Sequence, residues 1–282
     1  MKILHSINKR FLDYFFIIIG LIGAFAYLLP FLWIFSLSFR MESEAFLLPL
    51  ELFPKSFDFN NYKSVFESKV NIERLFYNSL KISVLVTLGQ LVTCTLAGYG
   101  LARSQHKFSK LVFYIMLAGM MIPAQATIVP LYLGIAKIGL FDTHASIIIP
   151  LLTSSFGIFL IRQFVLTQPI ELEEAAIIDG AGPIRTFFHV SLPQLGPVLS
   201  ALCILTFISS WNMYFQPLVF LESWDKMTLP IGLQTLRGFI SPGNNISVIM
   251  AALSMVVIPT LVLFIFLQKY IIKGLTFSGI KG

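Results

Sequence analysis

The chain has 282 residues, 56% of them hydrophobic and only 12% charged, with a mean hydropathy of +0.83, and this excludes an ordinary soluble domain. Its formal net charge of +6 would suit a nucleic-acid binder. In so apolar a chain it reads instead as the Lys/Arg excess of cytoplasmic loops, and no nucleic-acid partner is expected.

At the N-terminus Lys2, Lys9 and Arg10 precede an apolar run from Phe15 to Phe39. That run is too long for the apolar core of a signal peptide, about 7–15 residues, so it reads as a retained first span. A spanning helix needs about 20 mainly apolar residues. Five further segments meet that requirement: Leu80–Ala102, Leu111–Leu133, Ala145–Phe164, Val198–Leu221 and Val248–Ile272. The predicted fold is an all-α integral membrane bundle of about six transmembrane helices. No linker marks a second folded domain, so residues 1–282 are expected to form one transmembrane domain.

Between the spans, Arg40–Tyr77 reads as an irregular external loop with room for a short helix. A second external loop, Glu222–Ser247, ends in the turn cluster Ser241, Pro242, Gly243, Asn244, Asn245. Lys/Arg density sets the orientation: Arg103–Lys110 carries three positives and no acid, against one positive in Gly134–His144. Both termini are therefore expected in the cytoplasm. Prolines at 30, 123, 130, 150, 217 and 259 each remove a helix hydrogen bond. Pro123 and Pro130 with Gln125 between them point to real irregularity in the third span.

The longest polar cytoplasmic stretch lies between the fourth and fifth spans, around 168–193. Pro169 and the acids Glu171, Glu173 and Glu174 suit the start of a helix, where the dipole favours negative charge. Asp179-Gly180 ends that helix, Gly180 being suited to a left-handed cap. Gly182-Pro183 starts a second short helix with Ile184, Phe187 and Phe188 on one side, and Leu192-Pro193 stops it.

Glu174-Ala175-Ala176, three residues, Gly180, nine residues, then Val190-Ser191-Leu192-Pro193 resembles the coupling motif of ABC importer permeases. Val190 stands where Ile is usual. The resemblance extends to the smaller permease subunit of the oligosaccharide/maltose-type branch through Met121–Gln125, Pro130-Leu131-Tyr132, Phe156–Leu160, Ser210-Trp211-Asn212, and the ending from Gly274-Leu275-Thr276 to Ile280-Lys281-Gly282. It implies a type I importer fold in the cell (inner) membrane, with Glu174, Ala175, Ala176, Asp179, Gly180, Leu192 and Pro193 docking onto an ATPase. It implies as partners a second permease, two ATP-binding-cassette ATPases holding ATP and Mg, an extracytoplasmic solute-binding protein and a sugar substrate. It also implies that Ser241–Asn245 faces the binding protein.

Trp211, Asn212, Tyr214 and Gln216 interrupt the fifth apolar segment, and with Gln125 they are the candidate solute-pathway residues, since polar groups at membrane depth face protein or water. Gln90 is a further, weaker candidate. A polyol or glycerol-phosphate importer of the same branch would carry the same features. An ion-coupled secondary transporter would be expected to carry an intramembrane carboxylate, yet the acids lie in loops apart from Asp13 at the edge of the first span. No nucleophile, acid–base or metal constellation marks an enzyme, and no Gly-rich loop followed by Lys-Ser/Thr marks an ATPase. The chain is therefore expected to bind no cofactor itself and to borrow ATP hydrolysis from its partners.

Overall fold

The computed structural model describes residues 2–41, 44, 53–54, 57–239 and 246–278, with side chains described from 14 to 270 apart from those of 237 and 239. Among these residues all regular structure is helical. Two compact units are present, one of 1–71 with 233–257 and one of 72–232 with 258–282.

In the first unit, α1 (Lys2–Ser38) holds the first span and α2 (Asn60–Phe66) is the short helix expected in the external loop. The end of α1 is fastened to α2 by side chains that reach its last, otherwise unbonded carbonyls. Asn61 Nδ2 donates to the carbonyls of Ser38 and Arg40 at 3.0 and 2.9 Å. Tyr62 Oη bridges Ser38 Oγ at 2.8 Å and Ser254 Oγ at 2.9 Å. Buried Arg40 donates to Ser36 Oγ and lies over the Trp33 ring.

The second unit is organised around α3 (Ile72–Arg103). After it come α4 (Lys107–Met120), a 3-10 turn Ala124–Thr127, α5 (Ile128–Lys137), α6 (Ala145–Leu151) and α7 (Ser155–Thr167). Next are α8 (Glu171–Ile178), α9 (Pro183–Thr186), a π-turn Phe187–Ser191, α10 (Leu192–Gln194), α11 (Gly196–Trp211) and α12 (Phe215–Phe220). The helices α13 (Leu229–Phe239) and α14 (Ile246–Ser278) complete the chain.

The core of this unit is the seam of α3 with α7 and α11, where Cys94, Ile158, Ile161, Val165, Val198 and Leu202 are buried together. Two glycines let the backbones close up, as small residues do between membrane helices. A Cβ on Gly98 would lie 2.8 Å from Ile161 Cβ, and one on Gly157 2.8 Å from Cys94 Sγ. A second cluster, Ile82, Val86, Ile135, Ile147, Phe220 and Leu221, fills the other half of the unit.

Among the described residues four helices are long and apolar enough to cross a membrane, or up to six when each bent pair counts as one span. The third segment is broken, α4 and the Ala124–Lys137 stretch meeting at 95°, and the approach to α11 bends by 73°. Several expected boundaries move. The second span starts at Ile72 rather than Leu80, because Asn78 and Ser79, too polar to count as membrane residues, sit inside the helix and bond a neighbouring loop. Leu192-Pro193 does not stop the helix, since the π-turn carries it through, with the Leu192 N–H reaching the Phe187 carbonyl. Of Ile184, Phe187 and Phe188, only Phe187 is buried, so the three do not form one packed face. The segment Glu222–Ser247 is not all loop, for α13 occupies much of it, with Pro230 in its first turn.

Candidate functional site

α8 is capped by the residues that end it. Gly180 has φ +87°. Its N–H donates to Ile177 O at 3.0 Å and the Ala181 N–H to Ala176 O at 2.9 Å, the paired bonds of a Schellman cap. Beyond the cap, α9 starts with Pro183 at its first turn.

Of the two adjacent glutamates, Glu173 faces in, and Glu174, about 100° further round the helix, faces out. Glu173 is 8% exposed and its carboxylate is fully engaged. Arg103 Nη2 lies 3.0 Å from Oε1 and Arg103 Nε donates to the same oxygen at 3.1 Å. Ser191 Oγ donates to Oε1 at 2.9 Å and Tyr99 Oη to Oε2 at 3.0 Å. One buried carboxylate therefore joins α8 to the end of α3 and to the π-turn. Glu174, Ala175, Asp179, Gly180 and Pro193 are exposed, while Ala176 and Leu192 are half-buried. Ile177, Ile178 and Ile184 are 59%, 85% and 74% exposed, which gives the segment a solvent-accessible apolar face flanked by the carboxylates of Glu174 and Asp179.

The pathway candidates separate into two places. Gln125 is exposed on the 3-10 turn between α4 and α5. Asn212, Tyr214 and Gln216 lie at or beyond the break between α11 and α12, where Asn212 Nδ2 donates back to Ile208 O. Trp211 is 1% exposed, edge-on to Phe76 and stacked on Phe207, so in this conformation it is a packing residue. Ser241, Pro242, Gly243, Asn244 and Asn245 lie outside the described residues. Gln90 is more informative than its place in an apolar run suggested. Its Nε2 donates to Leu151 O at 2.9 Å, and its Oε1 accepts from Thr206 Oγ1 at 3.0 Å. It thus satisfies a carbonyl freed where the fourth span breaks between α6 and α7, as membrane depth requires.

At the opposite end of α3 from Arg103, the segment after α12 is latched by side chains no motif had marked. Asp142, at φ +56°, accepts from Lys226 Nζ at 2.7 Å and from the backbone N–H groups of Glu222 and Ser223 at 2.9 Å, and it also accepts from the Ser223 hydroxyl. These bonds, the Lys226 ammonium foremost, hold its carboxyl well below the usual carboxylate range. A depressed pKa adds stability above the unfolded value, so the latch persists through neutral and mildly acidic pH and weakens only in strong acid. Arg74 pairs with Asp225 at 3.0 Å, and Asn78 Nδ2 donates to the carbonyls of Asp225 and Met227. His144 Nε2 lies 2.9 Å from Lys226 O, and desolvation is the chief cause of its lowered pKa. Among the described residues no group of three His, Cys, Asp or Glu could hold a metal ion.

Residues 94–277 match the family of binding-protein-dependent transport system inner membrane components. The arabinooligosaccharides transport system permease protein AraQ of Halalkalibacterium halodurans is 36% identical over 262 residues, 92% of this chain and 93% of that protein. The sn-glycerol-3-phosphate transport system permease protein UgpE of Pectobacterium atrosepticum is 29% identical, over 96% of this chain and 98% of that one. In fold, the chain is similar to part of a bacterial ABC transporter involved in the import of the acidic polysaccharide alginate, with a TM-score of 0.79 and 24% identity over 93% of this chain and 97% of that one.

Proposed function

The chain belongs to the family of binding-protein-dependent transport system inner membrane components, multi-pass membrane proteins, and on that premise we propose that it carries an oligosaccharide delivered by an extracytoplasmic binding protein. Near-full-length similarity to an arabinooligosaccharide permease at 36% identity is the observation that carries the reading. A second permease completes the pathway, two ATPase subunits hold ATP and Mg, and both termini lie in the cytoplasm.

The coupling role falls to 168–193. Exposed Ile177, Ile178 and Ile184 with Ala175 form an apolar face suited to burial in a cleft of the ATPase. Glu174 beside them offers a charge to a basic partner residue. The Gly180 cap fixes the direction in which the chain leaves α8, and Glu173 ties α8 to Arg103 at the end of α3. Closure of the ATPase pair on ATP moves this segment, α3 moves with it, and the pathway opens outward to the binding protein. Hydrolysis resets it. The candidates Gln125, Asn212, Tyr214 and Gln216 remain proposed pathway residues, and Ser241–Asn245 a proposed binding-protein contact.

Reconstitution in liposomes with the partner permease, the ATPases and the binding protein tests this. Uptake of labelled arabinooligosaccharide should require the binding protein and ATP, and the chain alone should hydrolyse no ATP. ATP turnover by the isolated chain, or uptake that persists without the ATPases, would overturn the reading. Exclusive uptake of sn-glycerol 3-phosphate would move the protein to the glycerol-phosphate type.

A further inference from the structure

A cavity of about 430 Å³ opens between α3, the α6–α7 break and α11, within the range of roughly 300–1,000 Å³ typical of small-molecule sites. It lies near the middle of α3 and of the fourth span, at membrane depth, yet its lining includes Gln90, Thr153, Thr206 and Ser209 together with the aromatic ring of Phe156. The floor is built: Thr206 donates to Gln90, which donates to the Leu151 carbonyl at the helix break, so the amide is fixed in orientation. The rim is different. Thr153 and Ser209 are exposed, and among the described residues their hydroxyls make no hydrogen bond within the chain. Unsatisfied hydroxyls at membrane depth are costly, so such groups face water, protein or solute. No lining residue is ionisable.

We propose that this cavity is a solute subsite of the chain that holds one neutral sugar unit, its hydroxyls bonding Thr153 and Ser209 and one face of the ring lying against Phe156, which is 43% exposed. The assignment rests on the oligosaccharide reading above. It places part of the pathway at the break in the fourth span, and with Met213 in the lining the cavity reaches the stretch that holds Asn212 and Tyr214. With neither Lys nor Arg in the lining, the cavity offers no counter-charge to a phosphate or carboxylate.

The test uses the complete transporter with its binding protein, in a Cys203→Ala background. Cys94 is buried and is kept. Ser209→Cys and Thr153→Cys are treated with a membrane-impermeant methanethiosulfonate reagent, beside Leu88→Cys, which is exposed on α3 outside the cavity. The two cavity cysteines should react and Leu88→Cys should not. Saturating arabinotriose should slow their modification by about five-fold or more, and sn-glycerol 3-phosphate should leave it unchanged. Ser209→Ala should raise the KM for uptake by about three- to ten-fold with little change in kcat, the loss of one hydrogen bond to solute. Cavity cysteines that do not react, or react unprotected in a complex that transports arabinotriose, would overturn the subsite, the hydroxyls then being covered by the partner permease. Protection by sn-glycerol 3-phosphate would overturn its neutral class. A wild-type complex that transports no neutral oligosaccharide would sink the oligosaccharide reading itself, and this assignment with it, before any variant is measured.

Discussion

Glu173 and Glu174 are neighbours of identical chemistry with opposite environments. The Glu173 carboxylate and the Arg103 guanidinium are 11% and 16% exposed, and removing one member of so buried a pair strands the other charge at a cost of about 3–5 kcal/mol. Glu174 is exposed, and an exposed ion pair to a partner contributes only about 0–1 kcal/mol. Glu173→Gln should therefore lower the thermal stability of the purified complex markedly and loosen the ATPase, whereas Glu174→Gln should leave stability unchanged and weaken co-purification slightly. The double variant Glu173→Leu with Arg103→Met should be less destabilised than Glu173→Gln alone, because both charges leave together. Equal melting temperatures for Glu173→Gln and wild type would show that the pair does not hold α8 in place. The motif drew attention to Glu174; it could not reveal that Glu173 is the carboxylate that anchors the helix. Only the helical phase and the distant Arg103, noticed first as a topological charge, carried that signal.

At the scale of elements, the α8 cap separates backbone conformation from packing. A Cβ at Gly180 would meet no atom within 4 Å, so a substitution there acts through φ +87° alone. A β-branched residue strains that region by about 1–2 kcal/mol or more, while Asn tolerates it. Gly180→Val should redirect the chain leaving α8 and reduce ATPase co-purification, normalised to membrane-inserted permease, and Gly180→Asn should retain most of it. Full coupling in Gly180→Val would remove the cap from the mechanism. This cap was legible because Asp179-Gly180 is a local signal that no tertiary contact overrides. The breaks were less so. The irregular third span was announced by Pro123 and Pro130, but the break between α6 and α7 depends on Gln90 and Thr93, which lie on α3 and bond the carbonyls of Leu151 and Leu152. The full length of α3 is hidden in the sequence for the same reason: Asn78 and Ser79 lower the hydropathy of a helix whose loop partners, far along the chain, accept and donate in place of water.

For the whole molecule, six apolar segments were readable from the lengths of their apolar runs, because a helix of about 20 apolar residues crosses a bilayer with its backbone groups bonded internally. Sidedness is a weaker signal, since the Lys/Arg totals on the two sides differ little. Three of the outward-assigned cations are paired with acids, Arg74 with Asp225, Lys226 with Asp142 and Lys63 with Glu67. Each has an acid beside it, so their number obscures the count. What remains diagnostic is the Arg103–Lys110 loop, short and free of acid. Within the second unit this loop and the Glu173–Arg103 anchor share one end of α3, while Arg74 and the latched segment 222–227 share the other. The orientation of one end therefore fixes the other. In a Cys203→Ala background, Gln105→Cys should be labelled by an impermeant maleimide only from the cytoplasmic side, and Glu222→Cys only from outside. Both positions are exposed, so failure to label cannot be ascribed to burial in this chain. Labelling of Gln105→Cys from outside would invert the orientation and set the α8 face on the wrong side of the membrane to meet an ATPase.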